Sequence, residues 1–464
     1  MDSATDDTQR HDPATPPEST DVLVIGGGPA GTTAATLLAR KGWKVTLLEK
    51  ATHPRFHIGE SLLPMNLPIL ERLGVLEQVR DIGVHKLGAD FPLQDEADNT
   101  HVFRFDRAIA PKFGYAFQVK REEFDQLLFR NAIANGVDAR ERVAVEKLDF
   151  EDGRPRVVHA RDADGKPLAF RVRYLVDASG RDTFLGNKLK LKRKSGLHQS
   201  AAIFSHFTGV RRRDGDDAGN ITVDRFDHGW FWLIPLPGGV MSVGAVCFPE
   251  YLKQRSAHRG DQAGGGDPNE AFLLRTLQTT PSVWKRMEHA QRVAPVHVTG
   301  NYSYECERMA GPGWVMAGDA YAFVDPVFSS GVYLGMNSAE HAAEVVDAAL
   351  RDPAREAAAQ SAMDARLRRG LKHFSWFIHR FTTPVMQHLF ANPRNDWQLE
   401  QAVISMLAGD VFDNRVVLRK LRLFRIIYML TALQLAPRAL HGWLRRRRQV
   451  GEQFAGDTLQ PGNP

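Results

Sequence analysis

Asp21-Val22-Leu23-Val24-Ile25-Gly26-Gly27-Gly28-Pro29-Ala30-Gly31 decides the fold of this chain. Its first five residues are a short apolar run, the pattern of a buried parallel strand. The glycines end that strand. Thr32 to Lys41 is rich in Ala and Leu, reads as a helix, and is stopped by Gly42. Lys44-Val45-Thr46-Leu47-Leu48 reads as a second strand with Glu49 at its tip. Strand, glycine turn, helix and strand in this order are a βαβ unit. In Gly26-x-Gly28-x-x-Gly31 the backbone amides approach a pyrophosphate at a helix N-terminus, and any Cβ collides with the ligand or the packed helix. Glu49 stands eighteen residues after Gly31, where an acidic residue grips ribose hydroxyls. A glycine turn without a ligand is the competing reading, and the flanking elements with Glu49 disfavour it.

Working outward, two distant segments return to the same domain. Leu175-Val176-Asp177-Ala178-Ser179-Gly180 ends one apolar strand, and Trp314 to Ala317 leads another into Gly318-Asp319. Ser61 to Gly74, Leu76 to Asp81 and Arg121 to Asn135 read as helices, and Lys86 to Gln118 carries β-like runs. Asp152-Gly153 and Asp164-Gly165 mark hairpins. Ser200 to Phe248 is β-rich, Gln254 to Asp267 reads as a mobile surface loop, and Gly331 to Leu350 as a long helix. The expected architecture is α/β. A Rossmann-like domain over 21–350 is assembled from about 21–85, 121–190 and 300–350. A β-rich substrate domain, about 86–120 and 195–299, is interleaved with it. Residues 1–20 read as a disordered leader, 351–450 as a C-terminal helical region and 451–464 as a tail.

The chain has 464 residues, 43% of them hydrophobic and 25% charged, which excludes a disordered chain, a collagen or a coiled coil. Cys247 and Cys306 are its only cysteines and form no CxxC pair, so no disulfide framework, zinc knuckle or dithiol centre is built. No metal site is expected. The leader has no apolar run, and no stretch of 18 uncharged apolar residues occurs, so a cytoplasmic protein without a spanning helix is expected. Net charge is only +5, but Arg415 to Arg448 holds ten basic residues and no acidic one. That bias suggests an acidic partner or surface. No groove-reading motif supports nucleic acid. Oligomeric state is not legible.

Three further motifs sharpen the reading. Arg55-Phe56-His57-Ile58-Gly59-Glu60-Ser61-Leu62-Leu63-Pro64 resembles the segment after the ribose-binding Glu of flavin-dependent halogenases. Trp230-Phe231-Trp232-Leu233-Ile234-Pro235 matches their WxWxIP signature. Phe323-Val324-Asp325-Pro326-Val327-Phe328-Ser329-Ser330-Gly331 is similar to the spacing in members acting on phenols and pyrroles. The nucleotide domain rebuilt from three segments resembles the wider FAD-binding monooxygenase-like flavoproteins, from about Asp21 to Leu350.

This resemblance implies FAD as cofactor, held by Gly26, Gly28, Pro29, Ala30, Gly31, Glu49, Lys50, Arg121, Asp177, Gly180, Gly318 and Asp319. It implies that reduced FAD and oxygen form a C4a-hydroperoxide, that halide attacks it, and that hypohalous acid then halogenates an electron-rich ring. Lys86, twenty-seven residues after Gly59, falls where the family places its catalytic Lys. A desolvated ammonium can lose its proton and react, or donate hydrogen bonds. A solvated surface Lys is the bland alternative. Ser330 and Gly331 open a helix whose dipole favours an anion, a natural halide site. Trp230, Trp232, Ile234, Pro235, Pro326 and Phe328 are expected to wall the site; an aromatic core strand is the plain reading of the tryptophans.

Tryptophan halogenases of this family carry Glu where this chain has Phe328, which argues against free tryptophan. Ala178 stands where single-component hydroxylases have Gly, which weakens direct NADPH use and implies a separate flavin reductase as partner. The substrate implied is a phenol, pyrrole or indole type ring, free or on an acyl carrier protein. The rivals on the same fold are an FAD monooxygenase and an olefin reductase. A non-catalytic FAD-binding partner in pigment or polyketide assembly is a third reading. For the C-terminal helices three roles stand open: docking of an acidic carrier, peripheral membrane contact, or packing on the core with a solvated Arg tail.

Overall fold

A computed structural model describes residues 16–92, 100–253, 267–391 and 396–455, with backbone alone at 194–199, 301–302 and 436–455. Most of the expected leader, the 254–266 part of the expected surface loop and the last nine residues of the tail lie outside the described residues.

The apolar run of the opening motif forms the strand Glu18–Ile25, which starts inside the stretch expected to be leader. It lies at the centre of an eight-stranded sheet. Pro167–Asp177 and Val45–Leu48 flank it, and Trp314–Met316 follows Pro167–Asp177. These four strands are parallel, with Ile25 paired to Asp177 and to Leu48, and Asp177 paired to Met316. Three segments far apart in sequence therefore end at one edge: Gly26, Glu49, Ala178 and Ala317 follow directly. The helix Pro29–Arg40 buries Ala34, Ala35 and Leu38 on this sheet.

The second sheet has nine strands. Lys192–Thr208, Met241–Cys247, Gly229–Pro235, Ile221–Phe226 and Gly88–Pro92 run side by side within it. Alternation along Gly229–Pro235 splits its side chains. Trp230, Trp232 and Ile234 join the core that also holds the nucleotide sheet and Phe328. Phe231 and Leu233 join a second core with Phe272 and Leu273 of the helix Pro268–Gln278.

Lys86 belongs to neither large sheet. Gly83–Lys86 pairs with Ala116–Val119 as a separate antiparallel ribbon, across the expected boundary at 85/86. Ser61 and Leu62 are not helical as expected, because Ser61 bridges to Gln118 and the Leu62 amide donates to the Phe117 carbonyl at 3.0 Å. The helix starts only at Leu67.

Beyond the long helix Gly331–Arg351 come Glu356–Ile378, Pro384–Ala391, Leu399–Leu407 and Arg415–Ala455. The last packs through Val417, Leu421 and Phe424 and leaves Ile426, Met429, Leu430 and Leu433 exposed, at the i, i+3, i+4, i+7 spacing of one helix face. Among the described residues no helix is long and apolar enough to cross a membrane.

Candidate active site

The glycine loop is glycine for two different reasons. Gly26 has φ +100°, and a Cβ there would stand 2.4 Å from the Ala178 carbonyl oxygen; a Cβ on Gly31 would stand 1.9 Å from that of Gly26. Those two glycines are demanded by the fold itself. Gly28 is different: its φ is an ordinary −78°, and a Cβ would meet nothing closer than Arg55 Nη2 at 3.6 Å. The protein leaves this space empty, directly before Pro29 at the head of the helix, as a cradle for a pyrophosphate requires. Gly318 packs onto the same helix start, since its Cβ would lie 3.4 Å from the Ala30 methyl.

Glu49 is buried and accepts the amide hydrogens of Gly27 at 2.7 Å and Ala51 at 2.9 Å. Oε2 also stands 3.5 Å from Arg55 Nη2, which leaves Oε1 the freer oxygen for a ribose hydroxyl. Asp319 follows Gly318 and carries a carboxyl that burial pushes up to about 6, with Arg181 and Arg121 pulling the other way. Arg121 is itself buried, paired bidentately with Asp125 at 2.8 and 3.0 Å, and donates to the Ile58 carbonyl. Gly26, Gly28, Pro29, Ala30, Gly31, Glu49, Gly318 and Asp319 thus gather at the ends of the parallel strands, with Arg121 near enough to act on the Asp319 charge.

Three further expected cofactor contacts lie beside the same strand ends. Asp177 is fully buried, and its two oxygens accept from the amides of Ser179 at 3.0 Å and Leu185 at 2.7 Å. It ties the turn to the short helix Phe184–Lys188. Lys50 is exposed and paired with Asp182. Gly180 serves its turn through φ +64°, with open space around it.

Lys86 is 1% exposed. Its Nζ donates to Ser61 Oγ at 2.9 Å and to the Leu62 carbonyl at 3.0 Å, and stands 5.2 Å from the centre of the Phe105 ring. Among the described residues it has no carboxylate partner, and burial brings its pKa down to about 7. The amine faces a narrow cavity of about 10 Å³ lined by Phe91, Phe105, Ile221, Val223, Phe328 and Leu407 among others, with Lys86 the one charged group among these lining residues.

The expected wall is only partly in that lining. Phe328 is there, edge-on to Phe381 at 5.4 Å. Trp230, Trp232, Ile234, Pro235 and Pro326 are not; the neighbouring strand supplies Ile221 and Val223 instead. The tryptophans stand beside it on the same face, Trp232 opposite Val223, with their rings 5.8 Å apart and Trp232 Nε1 donating to Ser242 at 3.1 Å. Trp230 and Ser200 bond Asp325, whose carboxyl burial pushes up to about 6. The Trp strand therefore anchors the loop that delivers Phe328.

That loop continues into Ser329, which lines the cavity with φ +56°, and Ser330, whose buried hydroxyl has no partner. Ser330 caps the 21-residue helix Gly331–Arg351, and a Cβ on Gly331 would meet nothing within 4 Å. An orphan hydroxyl, an open glycine and a helix N-terminus meet at the end of the Lys86 cavity, an arrangement suited to an anion.

Sequence reading missed Ser61 as the acceptor for Lys86, Asp325 as the loop anchor, and a pair beside them. His206 Nε2 and Glu60 Oε1 are 2.7 Å apart, the other Glu60 oxygen is buried without a partner, and Phe56 stacks on His297 at 4.3 Å. Glu60 and Ser61 were within a quoted motif, but their partners come from strands 25 to 146 residues away.

With this geometry in hand, comparison with known proteins places the chain. Residues 19–375 match the family described as "FAD binding domain", so the class is an FAD-binding flavoprotein. The chondrochloren halogenase CndH, an FAD-dependent halogenase of known structure, superposes with a TM-score of 0.72 at 31% identity over 89% of this chain and 98% of that one. A tryptophan 2-halogenase of Chondromyces crocatus is 37% identical over 71% of this chain. The match spans 61% of that relative's length, so this chain covers under two thirds of it. A 1H-pyrrole-2-carbonyl-[peptidyl-carrier protein] chlorinase of Pseudomonas fluorescens is 28% identical over 87% of this chain and 92% of its own. The chain belongs to the flavin-dependent halogenases.

Proposed function

We propose that this protein halogenates an electron-rich, uncharged aromatic ring, with Lys86 as the catalytic residue. The observation that carries this is a buried amine without a counter-ion among the described residues, opening on a narrow apolar cavity that ends at the Ser329–Ser330 helix start. Reduced FAD with dioxygen, when bound, supplies the oxidising equivalent that turns halide into hypohalous acid. Ser330 and the first amides of Gly331–Arg351 hold the halide. Lys86 holds the hypohalous acid by hydrogen bonding through Nζ and presents its halogen to the ring. The balance is substitution: a ring C–H becomes C–halogen, and the proton leaves with the hydroxide as water. Apolar walls exclude bulk water that would otherwise compete.

The cavity favours a phenol or pyrrole over free tryptophan, because Lys86 is the only charged residue lining it. No carboxylate is there to meet an ammonium headgroup. The pyrrole-carrier chlorinase likeness supports delivery on a carrier, and a separate flavin reductase supplies reduced FAD. The test is Lys86→Ala. It should still consume oxygen in the presence of reduced FAD and release peroxide, yet form no halogenated product. Product within tenfold of wild type, a cost under about 1.4 kcal/mol, removes Lys86 from the reaction.

A further inference from the structure

The strands that carry the Lys86 cavity have a second cavity on their other face. Gly88–Pro92 and Ile221–Phe226 are neighbours in the large sheet, with Ala89 paired to Ile221 and Asp90 to Thr222. Ala89, Ile221 and Val223 point to Lys86. Asp90, Thr222 and Asp224 point the opposite way, into a cavity of about 210 Å³. Period-two alternation makes the two cavities back to back.

Four arginines line this second cavity: Arg211, Arg212, Arg213 and Arg286. Three acids line it too, and two of them are buried and hydrogen-bonded within the protein. Asp90 is fully buried against Asn220 at 3.0 Å, with Arg213 at 3.8 Å. Asp224 is buried against the Ser282 hydroxyl at 2.6 Å and the Arg225 amide at 2.7 Å. Asp214 is on the exposed rim. The guanidinium groups are held differently. Arg286 donates to the Arg211 carbonyl at 2.8 Å and to Thr222 Oγ1 at 2.7 Å; Arg212 donates to the Leu236 and Val240 carbonyls. All of these acceptors are neutral. Burial lowers the pKa of both arginines, that of Arg286 to about 10. Arg213 has Asp90 at 3.8 Å and Asp217 at 4.0 Å, and Asp90 and Asp224 offset part of the burial of Arg286, but the hydrogen bonds of Arg212 and Arg286 run to neutral oxygens and leave the lining with four guanidinium groups to three carboxylates.

We propose that this cavity binds a small polyanion, a phosphate- or carboxylate-bearing metabolite clasped by Arg212, Arg213 and Arg286. Planar guanidinium forks suit both anions. A bound polyanion would press on Asp90 and Thr222, next in chain to residues lining the Lys86 cavity. The site stands on different residues from the halogenation reading and can fail without it.

The experiment uses FAD-loaded protein at constant ionic strength, so that the glycine loop is filled and cannot report. Inorganic pyrophosphate and citrate are titrated separately by calorimetry. Saturable one-site binding of at least one is expected, and which one binds tighter identifies phosphate or carboxylate as the group recognised. Arg286→Gln should bind at least tenfold more weakly with its flavin absorbance unchanged. Hydrogen exchange on the wild type gives a reading that needs no variant: the anion should slow exchange at 210–214 and in the helix Pro281–Arg286. No binding of either anion at millimolar concentration overturns the proposal, as does binding that protects neither segment.

Discussion

Lys86 Nζ lies 2.9 Å from Ser61 Oγ, an amine and a hydroxyl 25 residues apart brought together inside the protein. The contact exists because Gly83–Lys86 pairs with Ala116–Val119 while Ser61 bridges to Gln118 of that same strand. One two-stranded ribbon with its bridge to Ser61 thus sets both the buried amine and its acceptor, and the chemistry of Lys86 follows from its burial.

Burial has a measurable consequence for stability. The folded-state pKa of Lys86 is about 7 against an ordinary 10.5. Between those values the unfolded chain holds a proton that the folded chain has released. Stability from this group therefore rises with pH through that window, by about 1.4 kcal/mol per pH unit at most. Lys86→Met should be more stable than wild type near pH 7, with an advantage that shrinks toward pH 10. Urea unfolding at pH 7 and pH 9 checks it, and equal pH slopes for the two proteins would show that Lys86 is not buried as a neutral amine.

The two kinds of glycine in the nucleotide loop should behave differently. Gly31→Ala drives a methyl against the Gly26 carbonyl and should destabilise the apoprotein by about 1–3 kcal/mol. Gly28→Ala strains nothing in the protein, so apoprotein stability should stay within about 0.5 kcal/mol while FAD affinity drops at least tenfold. Thermal melts of both apoproteins, with flavin titration, separate the cases. Unchanged FAD affinity in Gly28→Ala would move the pyrophosphate elsewhere.

How much of this was legible in sequence varies by residue. The βαβ unit was, because buried parallel strands are apolar runs and the glycine spacing is set by backbone approach. Glu49 and Asp319 were legible as residues at strand tips. Asp177 and Lys50 occupy similar positions, yet the amides of Ser179 and Leu185 take the Asp177 carboxylate, and Asp182 takes Lys50. Position along a strand does not say which way a side chain's hydrogen bonds run. The alternation of Trp230, Phe231 and Trp232 was also legible. That Ile221 and Val223, rather than the tryptophans, face Lys86 depends on which strand lies next in the sheet, which no local pattern encodes.

Ser330 offers a test of halide binding that leaves the fold alone. Its hydroxyl has no partner in the protein, so Ser330→Ala removes no internal hydrogen bond. Stability should change by less than about 0.5 kcal/mol. The halide concentration for half-maximal product formation should rise about tenfold, roughly 1.4 kcal/mol of binding. An unchanged halide requirement would place the halide away from this helix start.

Carrier delivery predicts a role for the last helix. Ile426, Met429, Leu430 and Leu433 are 57%, 60%, 57% and 75% exposed on a helix with ten basic residues and no acid from Arg415 to Arg448. Leu430→Glu should slow halogenation of a ring on an acidic carrier while sparing a small free phenol. Salt should weaken the carrier reaction alone. Equal salt response for both substrate forms would leave this face without a carrier to dock.

Halogen transfer itself is the central claim. Purified protein is incubated with FAD, a flavin reductase, NADH, bromide and a panel of phenols, pyrroles and indoles, free and carrier-bound, and products are read by mass spectrometry. The account predicts a product with the bromine isotope doublet on a phenol or pyrrole, present with bromide and absent without it. Hydroxylated or hydrogenated products that form equally with and without bromide would contradict it.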